Sequence, residues 1–181
     1  GLINGANEVC EGETITLNAT ISGGAWICND ATATVSNDGE VSGLSAGGGT
    51  ISYSTTNSCG LAYATKQITV EPKPGKPVIS QNFNLLSTTS GYPSYQWLLN
   101  GTPISGATDV NYTAGAVGTY EVTVTNAFSC ANTSLPLTLS NISYSINDIK
   151  VYPNPTASVV YISWYKKVSV RLTLLDGKML K

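Results

Sequence analysis

Short runs in which apolar and polar residues alternate, separated by turn residues, are the dominant pattern of this sequence. Residues 14–17, 50–53 and 66–70 have the two-residue period of a β-strand. Turn signals such as Asn37-Asp38-Gly39 recur about every eight to twelve residues, which is typical of a β-sandwich. No window keeps the apolar period of about 3.6 residues that marks an amphipathic helix. The pattern therefore predicts an all-β protein.

A proline-rich segment divides this pattern into two strand-rich stretches. Residues 72–77 contain three prolines, and such a composition favours an extended, semi-rigid linker. Strands and turns lie on both sides of it. We therefore predict one β-sandwich over residues 1–71 and a second over residues 78–140.

Both stretches contain sequence segments that are similar to immunoglobulin-like (Ig-like) repeats. Residues 33–53 resemble the bacterial Ig-like group 2 repeat, and residues 78–140 resemble an Ig or polycystic-kidney repeat. The second resemblance implies that Trp97 is the core tryptophan of the sandwich and that Tyr120 forms a tyrosine corner. Tandem Ig-like β-sandwiches are therefore the expected architecture.

The second stretch lacks the inter-sheet disulfide of the family that it resembles. Ser87 and Val122 stand where the two cysteines of that family would be. Trp97 is then expected to pack against apolar side chains alone, and the candidates are Leu85, Val122 and Val124.

The last part of the chain, residues 148–181, combines a proline motif, alternating strands and a turn. Pro153 and Pro155 each fix a backbone angle and remove a backbone donor, and Asn154 between them favours a turn. Alternating residues then predict strands over 159–166 and 168–174. Asp-Gly after them is a hairpin signal. The motif residues are Tyr152, Pro153, Asn154, Pro155, Asp176, Gly177 and Lys178.

This order of motifs resembles the N-terminal half of the C-terminal sorting domain found in cargo of the bacterial type IX secretion system. The resemblance implies a partial β-sandwich, export across the outer membrane, and two partners, the type IX translocon and an outer-membrane shuttle barrel. The alternative is an ordinary edge hairpin of a third β domain. Six basic and two acidic residues lie in this segment. Such a charge suits recognition by an acidic export partner, or lysine protection of a strand edge.

Composition bounds the possible partners and the compartment. Charged residues make up 11% of the chain and hydrophobic residues 41%, so the chain can bury a core and is not of the disordered class. The net charge of −2 gives no reason to expect nucleic acid as a partner. No apolar run approaches the length of a membrane span, and the 181 residues contain no signal peptide pattern. We expect that a signal has been removed or that the chain is a piece of a longer protein.

The four cysteines, Cys10, Cys28, Cys59 and Cys130, allow three complete pairings. None has the Cys-x-x-Cys spacing of a metal site. Cysteines recur at the positions of Cys10 and Cys59 in the repeats that residues 1–71 resemble, and the resemblance implies a disulfide between them. Cys28 and Cys130 are either free and buried or paired across the linker, and we expect them to be unpaired.

The absence of histidine limits the chemistry of the whole chain. It excludes Ser-His and Cys-His nucleophile pairs, and it excludes histidine-liganded metals. The acidic residues are scattered, and Glu8, Glu11 and Glu13 are interpreted as a solvated edge because no calcium-loop motif surrounds them. We expect no enzyme activity, no cofactor and no metal. The aromatic residues that could form a sugar-stacking platform, but for which core packing is the preferred interpretation, are Trp26, Tyr92, Tyr95 and Trp164.

Together these features predict a non-catalytic segment of a secreted or cell-surface protein. The Ig-like modules would act as a stalk or in adhesion, with surface glycans or neighbouring protein subunits as further partners. One alternative is a set of accessory or carbohydrate-binding modules in a larger secreted hydrolase. Another is a subunit that polymerises into a surface filament.

Overall fold

The computed structural model describes residues 1–58 and 60–142. All regular secondary structure in these ranges is β-strand, so the all-β prediction is confirmed. The strands of the first module are β1 (Ile3–Asn4), β2 (Glu8–Cys10), β3 (Thr14–Thr16), β4 (Asn18–Ala19), β5 (Ala25–Cys28), β6 (Ala33–Val35), β7 (Glu40–Gly43), β8 (Gly47–Asn57) and β9 (Gly60–Glu71).

The first module is an Ig-like sandwich of two sheets. One sheet has the strand order β2-β9-β8-β5, the other has the order β3-β7-β6, and β1 pairs with β4 in a separate ribbon. Alternation along the strands selects the core. On β9, Ile68 and Val70 are buried while Gln67 and Thr69 are exposed. The core residues are Val9, Leu17, Ala33, Val41, Ile51, Ile68 and Val70.

A long hairpin of β8 and β9 dominates the first module. The two strands pair antiparallel from Asn57↔Gly60 at the tip to Gly47↔Val70 at the base. β2 pairs with β9 in parallel at that base, with Cys10 opposite Glu71. The linker follows β9 directly, so the tip of the hairpin and the linker lie at opposite ends of a strand of twelve residues. Such a strand spans about 36 Å.

Gly39 ends the predicted turn at residues 37–39, and replacing it by a residue with a side chain is expected to destabilise the first module. Its φ of 83° lies in the left-handed region, and a Cβ there would collide with the Leu17 carbonyl oxygen and lie 3.1 Å from Trp26. We expect Gly39→Ala to lower the free energy of unfolding by about 1–3 kcal/mol. Gly12→Ala is the matched control, because Gly12 has a φ of 77° but open space around its Cβ position. Denaturant melts that show equal losses for the two variants would contradict the proposed collision.

The second module contains eight strands. They are β10 (Ser80–Asn82), β11 (Leu85–Ser87), β12 (Ser94–Leu99), β13 (Thr102–Pro103), β14 (Asn111–Thr113), β15 (Gly118–Thr125), β16 (Ala131–Thr133) and β17 (Leu137–Leu139). One sheet has the order β10-β11-β14. The other has the order β13-β12-β15-β16, with β17 also paired to β15. The module is again an Ig-like sandwich.

Trp97 and Tyr120 lie at the centre of the second core, where the sequence predicted them. Both side chains are fully buried. The Trp97 ring stacks on Tyr112 at a centroid distance of 6.0 Å, and its backbone is paired with Val122 across the sheet. The Trp97 indole N–H donates to the Asp109 carbonyl at 2.9 Å, so the only polar atom of the ring is satisfied.

The predicted contact of Leu85 with the second core is wrong. Leu85 is 40% exposed, whereas its neighbour Leu86 is fully buried and belongs to the core. β11 pairs with β14 in a register that places Leu86 opposite Tyr112. Because side chains alternate between the two faces of a strand, an error of one residue moves the side chain from the core to the solvent.

The strands divide at the linker. The strands of the first module end at Glu71 and those of the second begin at Ser80. The two hydrophobic cores share no residue, yet both modules belong to one compact unit. The predicted sorting domain over residues 148–181 lies outside the described residues.

Candidate functional site

The junction between the two modules is held by a disulfide between Cys10 and Cys130, whose Cα atoms are 5.6 Å apart. Cys10 ends β2 at the linker end of the first module. Cys130 lies between β15 and β16 of the second module and is fully buried. The bond therefore joins the modules across the linker. The expectation that Cys130 is unpaired is wrong, while Cys28 is a free, half-buried cysteine.

The predicted disulfide between Cys10 and Cys59 is also wrong, because Cys10 is bonded to Cys130. Residue 59 itself lies outside the described residues, but Gly60 after it begins β9 at the tip of the hairpin. Cys10 pairs with the other end of β9, at Glu71. A strand of this length separates its ends by about 36 Å, whereas bonded cysteines need Cα atoms within about 7 Å.

The linker is fastened to both modules by hydrogen bonds. From the second module, the Asn126 side-chain amide donates to the Pro72 carbonyl and that of Asn132 donates to the Pro74 carbonyl, both at 2.8 Å. From the first module, Glu11 accepts the Lys73 backbone N–H at 3.1 Å. Pro74 is buried. The predicted spacer is therefore an embedded part of the junction.

Glu11 and Glu13 have structural roles that the solvated-edge interpretation missed. One carboxylate oxygen of Glu11 accepts the Ala46 N–H at 2.8 Å while the other accepts the linker amide. Glu13 forms an ion pair of 3.1 Å with Lys73. That pair is partly exposed and contributes little by itself. The two hydrogen bonds that the Glu11 carboxylate accepts are the stronger contact, because a hydrogen bond to a charged acceptor contributes about 1.5–3 kcal/mol.

Asn126 shapes the turn that presents Cys130. Its side-chain oxygen accepts the backbone N–H groups of Phe128 and Cys130, each at 3.0 Å. Ser129 takes a left-handed conformation with a φ of 64°. The same Asn126 side chain therefore builds the turn with its oxygen and holds the linker with its nitrogen. The signal in the sequence was Asn126 itself, since an asparagine side chain often accepts the backbone N–H two residues further on and so begins a turn.

The proposed aromatic platform is not present among the described residues. Tyr95 is buried and Tyr92 is half-buried, and the Tyr95 hydroxyl accepts the Tyr92 N–H at 3.0 Å. Trp26 is half-buried, with its ring 4.7 Å from Tyr53. Trp164 lies outside the described residues. Among the aromatic side chains of the described ranges, Tyr63 on the long hairpin is highly exposed, at 75%.

Tyr120 has the geometry of a tyrosine corner. Its hydroxyl donates to the Ala116 carbonyl, four residues upstream, at 2.7 Å. Burial raises the pKa of this hydroxyl above its ordinary value. Tyr120 is therefore neutral at physiological pH and acts as a structural donor.

No cluster of three or more metal-ligating side chains occurs in the described part of the chain. Within the same residues, no helix is long and apolar enough to cross a membrane. The predicted motif residues Tyr152 to Pro155 and Asp176 to Lys178 lie outside the described ranges. The candidate functional features of the described residues are therefore the disulfide-linked junction between the modules and the exposed hairpin of β8 and β9.

No protein-family model and no curated protein matches this chain. Among solved structures, the chain is similar to the titin domains Z1Z2 in complex with telethonin, with 16% identity over 76% of this chain and 96% of that chain, and a TM-score of 0.26. It is similar to the same degree to a chimeric titin Z1Z2 functionalised with an exogenous peptide from decorin, over 77% and 97% of the two chains, with a TM-score of 0.26. Similarity at this level adds nothing to the fold already described, that of tandem Ig-like β-sandwiches.

Proposed function

We propose that this chain is a non-catalytic stalk or adhesion segment of a bacterial cell-surface protein, exported through a type IX secretion system by its C-terminal residues. The observation that carries the proposal is the junction. A disulfide and three hydrogen bonds join the linker and the two modules. Such a junction holds two modules in a fixed relation, which a spacer needs and a flexible tether lacks.

The junction also supports an extracellular location. Disulfides form and persist in oxidising compartments such as the periplasm and the cell surface, and are rare in the cytosol. Here the bond links residues 120 positions apart. A bond of this kind fits an export route through an oxidising periplasm.

The export part of the proposal is supported by the sequence of residues 148–181 alone. The order of its proline motif, alternating strands and Asp176-Gly177-Lys178 turn resembles the type IX sorting domain. The translocon and the outer-membrane shuttle barrel are the partners that this resemblance implies. Surface glycans or neighbouring subunits are the proposed partners of the stalk.

Deletion of residues 148–181 tests the export proposal. The full chain and the truncated chain would be expressed behind the same signal peptide in a bacterium with an active type IX system. We expect the truncated protein to stay in the periplasm with both sandwiches folded. Surface labelling and cell fractionation measure its location, and circular dichroism of the purified protein checks its fold.

The matched control alters the body and keeps the tail. Cys28→Ser alters a free cysteine of the first module and leaves the junction disulfide and residues 148–181 unchanged, so this variant should still reach the surface. Normal surface levels of the truncated protein would overturn the export proposal, and residues 148–181 would then be part of a third structural domain.

A further inference from the structure

The outer edge of β9 is open near the tip of the long hairpin. β8 covers one side of β9 along its whole length. On the other side β2 pairs only with residues 69–71, and Asn7 accepts the Thr69 N–H at 2.7 Å. No described residue pairs with that side between Gly60 and Gln67. This stretch is called the open edge below.

The backbone groups that face outward along the open edge follow from the pairing. In an antiparallel ladder, successive residues direct their N–H and C=O groups to alternate sides. Thr69 directs its N–H to Asn7, away from β8. Residues an even number of positions before it face the same way, so Leu61, Tyr63 and Thr65 present unpaired donors and acceptors to a neighbour.

Two large apolar side chains on the open edge are exposed. Leu61 is 71% exposed and Tyr63 is 75% exposed. The apolar surface continues onto Leu2 and Ile21, which line a small cavity beneath the hairpin together with Tyr63. Exposed apolar patches of this kind mark interaction sites in soluble proteins.

The open edge also lacks the protection that other strand edges have. Every other edge strand in the described part of the chain is two to four residues long, and one of them contains Pro103. Between Leu61 and Gln67 there is no proline and no glycine, and Lys66 is the one charged residue. Strand edges that stay unpaired in natural proteins are usually short, charged or interrupted by proline.

We propose that the open edge is a self-association site, at which two copies of this chain pair their β9 strands antiparallel across a twofold axis. The register centred on Tyr63 places Tyr63 opposite Tyr63 of the second copy and Leu61 opposite its Thr65. Both apolar side chains then gain a neighbour, and aromatic and β-branched cross-strand pairs stabilise a sheet. The inference goes beyond the proposed function and does not depend on the export route.

Charge does not oppose a second copy as the occupant of the open edge. In this register Lys66 stands opposite Gly60 of the second copy, so the two ammonium groups do not face each other. No acidic residue lies between Gly60 and Gln67 to select a basic partner. Antiparallel pairing about a twofold axis matches the backbone donors of one copy to the acceptors of the other, as an isologous interface requires. It lies at the end of the first module that is remote from the linker, where the second module does not obstruct it.

The expected dimer is weak. A single pair of strand edges buries less surface than the roughly 1,200 Å² of a standard stable interface. Association should therefore appear in sedimentation equilibrium of the full chain only at high protein concentration. Tyr63→Lys should raise the dimer dissociation constant about tenfold, since it removes the aromatic pair and sets two like charges opposite each other.

Two further variants distinguish pairing at the open edge from non-specific association through other exposed apolar side chains. Phe83→Lys is the matched control, because Phe83 is 71% exposed in the second module and lies away from the open edge; its dissociation constant should equal that of the unaltered chain. Thr65→Pro removes an outward N–H that β8 does not use, so it should weaken the dimer while the hairpin stays intact.

Three results would overturn the proposal. The first is a chain that stays monomeric at millimolar concentration. The second is a dimer that survives both Tyr63→Lys and Thr65→Pro. The third is slow hydrogen exchange at the amides of Leu61, Tyr63 and Thr65 in dilute, monomeric protein, since a segment of the same chain would then cover the edge. Protection of these amides that appears only with dimer formation supports the proposal.

Discussion

Replacing Trp97 by alanine is expected to lower the free energy of unfolding of the second module by about 3–5 kcal/mol, the range for a large aromatic side chain deleted from a core. Trp97 is fully buried and contacts the interior of both sheets, since it lies on β12 and stacks on Tyr112 of β14. No disulfide links the two sheets of this module, because Cys130 is bonded to the first module. The ring therefore carries a large share of the contact between the sheets.

The substitution also removes the hydrogen bond that the indole N–H donates to the Asp109 carbonyl at 2.9 Å. Asp109 is exposed, so water can replace the lost donor and the loss of packing dominates the expected effect. Denaturant melts would measure the loss, with Phe128→Ala, at an exposed position of the same module, as the control. A loss under about 1 kcal/mol for Trp97→Ala would contradict the central position of the ring.

Removing the junction disulfide with Cys10→Ser and Cys130→Ser is expected to destabilise both modules. When one module unfolds and the other stays folded, the bond closes a loop of about 60 residues, and the chain-entropy model assigns such a loop about 4 kcal/mol. The same loop argument holds for either module, because Glu71 lies near the middle of the sequence between the two cysteines. A disulfide within one module would affect that module alone.

Calorimetry of the double variant measures this effect as a fall in both unfolding transitions. Cys28→Ser is the control, because Cys28 is free and half-buried. Spin labels placed on the two modules give a second measurement, since their distance distribution should broaden when the bond is lost. A variant that keeps the stability of one module and a narrow distribution would show that the hydrogen bonds of the linker hold the junction without the disulfide.

Local features of the fold were predictable from the sequence because they depend on neighbouring residues. Alternation of apolar and polar residues predicted strands, and the Asn-Asp-Gly signal predicted the turn in which Gly39 takes its left-handed φ. The three prolines predicted the position of the linker. The burial of Trp97 and Tyr120 was predictable by resemblance, since an aromatic residue at those positions of an Ig-like strand points inward.

Contacts between distant residues were not predictable in the same way. On β11 the residue predicted to face the core was Leu85, whereas Leu86 faces it. The register is set by pairing with β14, and nothing in residues 85–87 distinguishes Leu85 from Leu86. The role of Asn126 was missed because its two partners, a turn and a linker carbonyl, are far apart in the chain. The open edge of β9 became visible only when the extent of its pairing with β2 was known.

The sequence by itself determined the strands, the turns, the linker and the all-β class, since each of these follows from the preferences of short segments. The tertiary structure decided which cysteine bonds to Cys10, because a disulfide requires two Cα atoms within about 7 Å and sequence positions do not report that distance. It also decided that the linker is clamped and that one strand edge stays open. These are the features on which the proposed stalk and the proposed self-association depend.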